Sequence, residues 1–199
     1  MGSNIFISIF VLFAIAGKTQ IADSSDYVIY GSVIKKNIPE DKKSVVVLNE
    51  TSRDEYYDPW YGDTSSRIKI ISGWMRVFRT PFDSSSYTLY REFDKKHQKR
   101  KKLSNSFKLP IEVFLIKKKS FDRFFKQSVE AGWNKFYDQY PSSAGVFEFS
   151  DIHYSEGKTK AILYYAIHRN GLNGGGTVVI LEKISGEWKA IYESSLWVN

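Results

Sequence analysis

The sequence predicts an α+β fold: an N-terminal helix and strand, then a long amphipathic helix packed on a C-terminal four-stranded antiparallel meander. Three observations carry that expectation. Aromatic residues recur at helical spacing between Phe121 and Tyr140, the pattern of a helix with one buried face. From Gly145 onward, apolar and β-branched runs are separated by Glu156-Gly157, a Gly-rich stretch and Ser185-Gly186, the punctuation of hairpins. In the last run Trp188, Ala190, Tyr192, Leu196 and Val198 share one parity and Glu187, Lys189, Glu193 and Ser195 the other, as in a strand with one face buried and one in water.

Taken in order, "SSDYVIYGSVIKKNI" reads as a helix capped by Ser25 or Asp26, with Tyr27, Tyr30, Val33 or Ile34, and Ile38 on one face and Pro39 as its stop. A β-branched strand follows from Ser44 to about Asn49, and "RDEYYDPWYGDTSS" has loop composition. Residues 68–78 follow no single period. Ser84 or Ser85 opens a helix whose Tyr87, Tyr90 and Phe93 share a face before it runs into cations. Ile111 to Ile116 reads as a strand. Ser120 then caps one helix through "FDRFFKQSVEAGWNKFYDQY", with Phe121, Phe125, Val129, Trp133, Phe136 and Tyr140 as its stripe and Pro141 as its end. The strands that follow are Val146–Tyr154, Ala161–Arg169, Thr177–Ile184 and Glu187–Val198. A sheet with one apolar side needs a second layer, so the helix covers it.

Composition narrows the function classes. Of 199 residues none is Cys, which excludes disulfides, thiolate catalysis and cysteine-based zinc sites. A net charge of +7 favours anionic partners. The run from Ile5 to Ala16, with Ala14-Ile15-Ala16 as a small-x-small cleavage pattern, has the length of a signal-peptide apolar region and is short for a membrane span. Residues 1–19 are expected to be a leader and 20–199 a single domain, exported to the periplasm or beyond, with no stable transmembrane span after cleavage; the same run could also form an N-terminal anchor helix or a buried first strand.

The segments "WNKFYDQYPSSAGVFEFSDIHYSEGKTKAILYY", "GLNGGGTVVILEK" and "SGEWKAIYESSLWV" resemble a family of exported, flavobacterial-type bacterial proteins. Its tails combine a Tyr-Pro-x-Ser-x-Gly turn, a Gly-rich loop, a Leu-Glu-Lys strand and a Gly-x-Trp turn. "YVIYGSVIKKN" and "SVVVLNETS" fit the same family's opening helix and strand. The resemblance implies a bacterial, exported, single-domain protein and brings no catalytic residues. Many relatives carry a Cys pair where this chain has "GLNGG", so that staple is missing here. The helix followed by four strands is also similar in outline to cystatin-like and nuclear-transport-factor-like cones, a likeness that speaks to fold and not to chemistry.

Several constellations could carry chemistry. Tyr56, Tyr57, Trp60 and Tyr61 stand among Asp54, Glu55, Asp58 and Asp63; exposed rings could stack on sugars and carboxylates could hold Ca²⁺. The same rings could equally fold back onto the core, and the acidic spacing lacks the EF-hand pattern. Lys95, Lys96, Lys99, Arg100, Lys101 and Lys102 could release counterions from a polyanion, or form the solvated basic end of a helix. No nucleic-acid module surrounds them. The Gly-rich "RNGLNGGGTV" precedes a strand, whereas a phosphate loop must open a helix, so a flexible hairpin connection is expected there. His153 and His168 with Glu148 and Asp151 do not form a recognisable metal spacing. No GxSxG or SxxK nucleophile motif occurs.

Trp133, Tyr140, Trp188, Tyr192 and Trp197 are assigned to the fold. The expected function is that of a non-catalytic binding or interaction module of the cell envelope, without cofactor, taking a glycan or an anionic envelope polymer. An envelope hydrolase using paired carboxylates and polyanion binding through residues 95–102 stay open as alternatives.

Overall fold

A computed structural model describes residues 20–52, 84–96 and 100–198. Strand β1 (Gln20–Ile21) leads into helix α1 (Ser24–Asn37). The helix begins earlier than the spacing suggests. Asp23 is its cap, accepting from the Ser25 N–H at 3.0 Å, while the Asp26 carboxylate accepts from the Asp23 N–H at 3.0 Å. This reciprocal capping box uses Asp26 as its third helical residue.

Strand β2 (Ser44–Leu48) is buried at all five positions. Such a run requires cover on both faces of the sheet and belongs in its interior. Helix α2 (Ser84–Lys96) follows, then β3 (Lys101–Lys102), which pairs in parallel with β1, then β4 (Glu112–Ile116). In α2, Leu89, Tyr90 and Phe93 are buried and Tyr87 is exposed; the packed face is rotated from the aromatic stripe by the i, i+4 pair Leu89 and Phe93.

The long helix expected from Phe121 to Tyr140 is three pieces: α3 (Lys118–Asp122), a 3₁₀ turn over Arg123–Lys126, and α4 (Val129–Gln139). Ser128 caps α4 by accepting from the Ala131 N–H at 3.1 Å. The break lets the chain fold back, so that the Phe125 ring occupies the space a Cβ on Gly132 would need. Phe121, Trp133 and Phe136 are buried, their rings packed edge to face, and Val129 is exposed in the first turn of the new helix.

The C-terminal strands are β5 (Ser143–Phe149), β6 (His153–Tyr154), β7 (Lys160–Asn170), β8 (Asn173–Ile184) and β9 (Glu187–Val198). They join β2 and β4 in one seven-stranded mixed sheet of order β4-β2-β5-β7-β8-β9, with β6 also on β7. The antiparallel meander is thus extended by a parallel part, β2 lying between β4 and β5. The β4-to-β5 connection crosses over β2, and parallel neighbours require such a crossover.

Both faces are covered. Val45, Val47, Phe147, Phe149, Ala161, Leu163, Val179 and Leu181 pack under α1. On the other face Ile162, Tyr164, Val178 and Ile180 pack under α2, and Val46, Leu48 and Val146 under α3 and α4. Three layers therefore replace the single helix on a meander.

Three strand details also differ from expectation. The run Val146–Tyr154 breaks at Ser150, whose hydroxyl accepts from the Tyr164 N–H at 2.9 Å and donates to the Asp151 carbonyl at 2.8 Å. The glycines at 174–176 are strand, paired with His168, Ile167 and Ala166, and not a flexible connection. At Gly176 a Cβ would strike Trp197 Nε1 and the Tyr164 hydroxyl, so glycine there admits the indole. Finally, β9 does not keep one parity. Register shifts opposite Gly176/Thr177 and Ile180/Leu181 put Trp188 in the core under α1 and Tyr192 and Trp197 in that under α2. The Ser185-Gly186 turn has φ of 52° and 87°, the left-handed pair of a two-residue hairpin.

Candidate functional site

Of the residues singled out above, Asp54, Glu55, Tyr56, Tyr57, Asp58, Trp60, Tyr61, Asp63 and Lys99 lie outside the described residues, as do residues 1–19, expected to be a leader, and the stretch 68–78. Lys95 and Lys96 fall in the last turn of α2, and Arg100 and Lys102 are exposed. Lys101 turns inward. Its ammonium lies 2.6 Å from Asp151 and 3.4 Å from Asp26, and only 13% of the side chain is exposed. The Asp26 carboxylate, 1% exposed, also accepts from the Tyr154 hydroxyl at 2.8 Å.

Burial by itself would lower the Lys101 pKa. The hydrogen bond and charge of Asp151, with the charge of Asp26, outweigh it and raise the value above that of an ordinary lysine. One cation shared by two carboxylates leaves burial dominant at Asp151, whose pKa is also raised. The cluster ties the β1–β3 ribbon to the start of α1 and to β6. Its donors and acceptors are turned on one another, which is the chemistry of a fastening.

The two histidines are kept apart. His153 stands opposite Ile162 and lies 3.2 Å from Glu92, whereas His168 stands opposite Gly174 and lies 3.6 Å from buried Glu148. His168 packs near the Phe121 and Trp197 rings, and the Trp197 indole N–H donates to the Tyr164 hydroxyl at 3.0 Å. Trp133, Tyr140, Trp188, Tyr192 and Trp197 all pack against the hydrophobic cores.

The surface feature with the best-defined geometry is one the motifs do not mark: the outer edge of β4. The Glu112 N–H donates to the Lys43 carbonyl at 3.1 Å, and the Ile116 carbonyl accepts from the Asn49 N–H at 2.8 Å. Even-numbered residues of β4 therefore direct their backbone groups to β2. The pleat turns those of Val113 and Leu115 outward, where no strand among the described residues pairs with them.

A groove flanks this edge on each face. One, of about 460 Å³, is lined by Ile116, Ser120, Arg123, Phe124, Lys135 and Tyr140 on the α3–α4 side. The other, of about 500 Å³, is lined by Phe107, Ile111, Glu112, Val113 and Leu115 on the α1 side. A strand laid along β4 would send alternate side chains into the two grooves.

The sequence holds one trace of this feature. Residues 108–127 carry six Lys or Arg against Glu112 and Asp122, around an apolar run free of cations from Val113 to Ile116. That run reads like an interior strand, and only the sheet order puts it at the rim.

No family model, curated protein or solved structure matches the chain.

Proposed function

We propose that the chain is an exported, non-catalytic binding module of the cell envelope, and that it takes an extended segment of a partner as an added strand on β4. The observation that carries this reading is the outward backbone of Val113 and Leu115 between two grooves on opposite faces. Strand addition works in this way, with main-chain hydrogen bonds for affinity and pockets for alternate side chains for selectivity. The envelope location rests on the apolar leader and on the tail resemblance. Among the described residues no helix is long and apolar enough to cross a membrane. Among the described residues, the close carboxylates Asp26 and Asp151 are engaged by Lys101 and lend no support to an envelope hydrolase.

Proline at a residue whose N–H faces outward removes a donor the sheet does not use. Val113→Pro is therefore expected to abolish binding of synthetic strand-forming peptides with alternating Val and Thr, and Val113→Thr to retain it, both with native circular dichroism. Peptide binding that survives in Val113→Pro would overturn the reading.

A further inference from the structure

The charge around the edge is polarised. Lys117, Lys118 and Lys119 follow β4 directly and are exposed, Lys118 paired with Asp122 at 3.3 Å, and Arg123 and Lys135 line the groove beside the C-terminal end of β4, while Glu112 lines the opposite groove at its N-terminal end. Lysines that merely guard a sheet edge sit on the strand itself and block its approach. Here Val113 to Ile116 carry no cation, so no charge on the strand itself blocks its approach, and the cations stand where one end of a bound strand would lie.

We infer, resting on the strand-addition reading above, that the partner is an acidic extended peptide: an alternating apolar strand with its carboxylates at the end beside Lys117, Lys119 and Arg123. Antiparallel addition, the more stable pairing, puts those carboxylates N-terminal to the strand. A second copy of this chain fits less well. Antiparallel pairing of β4 with itself about its outward residues offers the lysines one carboxylate, Glu112 of the copy beside Lys117, and sets Lys119 near Lys108 of the copy, with +7 on each chain.

The test uses the full chain and fluorescent peptides in which a Glu-rich head precedes an alternating Val–Thr strand, with Gln-headed and Lys-headed analogues. The Glu-headed peptide is expected to bind at least about tenfold more tightly than the Gln-headed one, the gain of several partly exposed ion pairs, and to lose that margin in high salt. The exposed triple variant Lys117→Glu/Lys119→Glu/Arg123→Glu is expected to fold and to prefer the Lys-headed peptide. Equal binding of Glu- and Gln-headed peptides, both lost in Val113→Pro, overturns the acidic partner and leaves strand addition standing. Binding unchanged in Val113→Pro, or no binding of any peptide, overturns both. A dimer that Val113→Pro dissolves makes the occupant a second copy and overturns the acidic peptide.

Discussion

Lys101 and Lys102 are adjacent and chemically identical, yet one is fastened between two carboxylates and the other stands in water. Removing one partner of a buried ion pair leaves charge without compensation, which costs about 3 to 5 kcal/mol. Lys101→Met is expected to lose stability of that order in urea unfolding. Lys102→Met should change it by less than about 0.5 kcal/mol, as exposed substitutions do. Adding Asp26→Asn and Asp151→Asn to Lys101→Met should recover part of the loss, since the orphaned charges are then gone. Equal effects of the two lysine substitutions would show that Lys101 is not held inward. Composition could not separate them, because which lysine turns inward follows from the pairing of β1 with β3 and from the strand break at Ser150 that brings Asp151 near.

At the scale of elements, the stripe expected from Phe121 to Tyr140 held three buried core residues, counted the exposed Val129 with them, and took the wrong path. Phe121, Trp133 and Phe136 are buried as the stripe requires, but Ser128 restarts the helix and Phe125 folds over Gly132. The two arrangements differ in sign for one substitution. In an uninterrupted helix Gly132→Ala would stabilise by about 1 kcal/mol. With the Phe125 ring in the way it is expected to destabilise by about 1 to 3 kcal/mol, the usual penalty of overpacking; the direction of the melting-temperature change decides. Strand β4 shows the same division, since its apolar run was legible as a strand. Its rank at the sheet edge, on which the proposed function depends, was not.

Across the whole molecule, both sheet faces are covered and many tyrosines are enclosed. Burial raises the pKa of Tyr30, Tyr137, Tyr140, Tyr154, Tyr165 and Tyr192, with the charge of Asp26 adding to the effect at Tyr30 and Tyr154. Lys101 is raised as well. A group raised in the folded state contributes its stability below its unfolded pKa and loses it as pH climbs through the folded one. The unfolded chain sheds these protons near the ordinary values of 10.0 for tyrosine and 10.5 for lysine, whereas the folded chain keeps them. Stability is therefore expected to fall steeply above pH 10.0, by up to roughly 1.4 kcal/mol per pH unit for each group so held. The part of the tyrosinate absorbance that these six residues contribute should then rise together with loss of circular dichroism in one transition. Smooth tyrosine titration with the fold intact would contradict this enclosure.

The sequence by itself determined the α+β class, the first helix and strand, the C-terminal strands and the aromatic residues of the core, because periodicity and turn chemistry are local. Only the tertiary structure decided that β2 enters the sheet in parallel, that both faces are covered, that β9 changes face twice, and that β4 is left at the rim of the strands described. Those outcomes depend on which strands neighbour one another, and residues with the same local pattern can be central or marginal according to what the rest of the chain puts beside them.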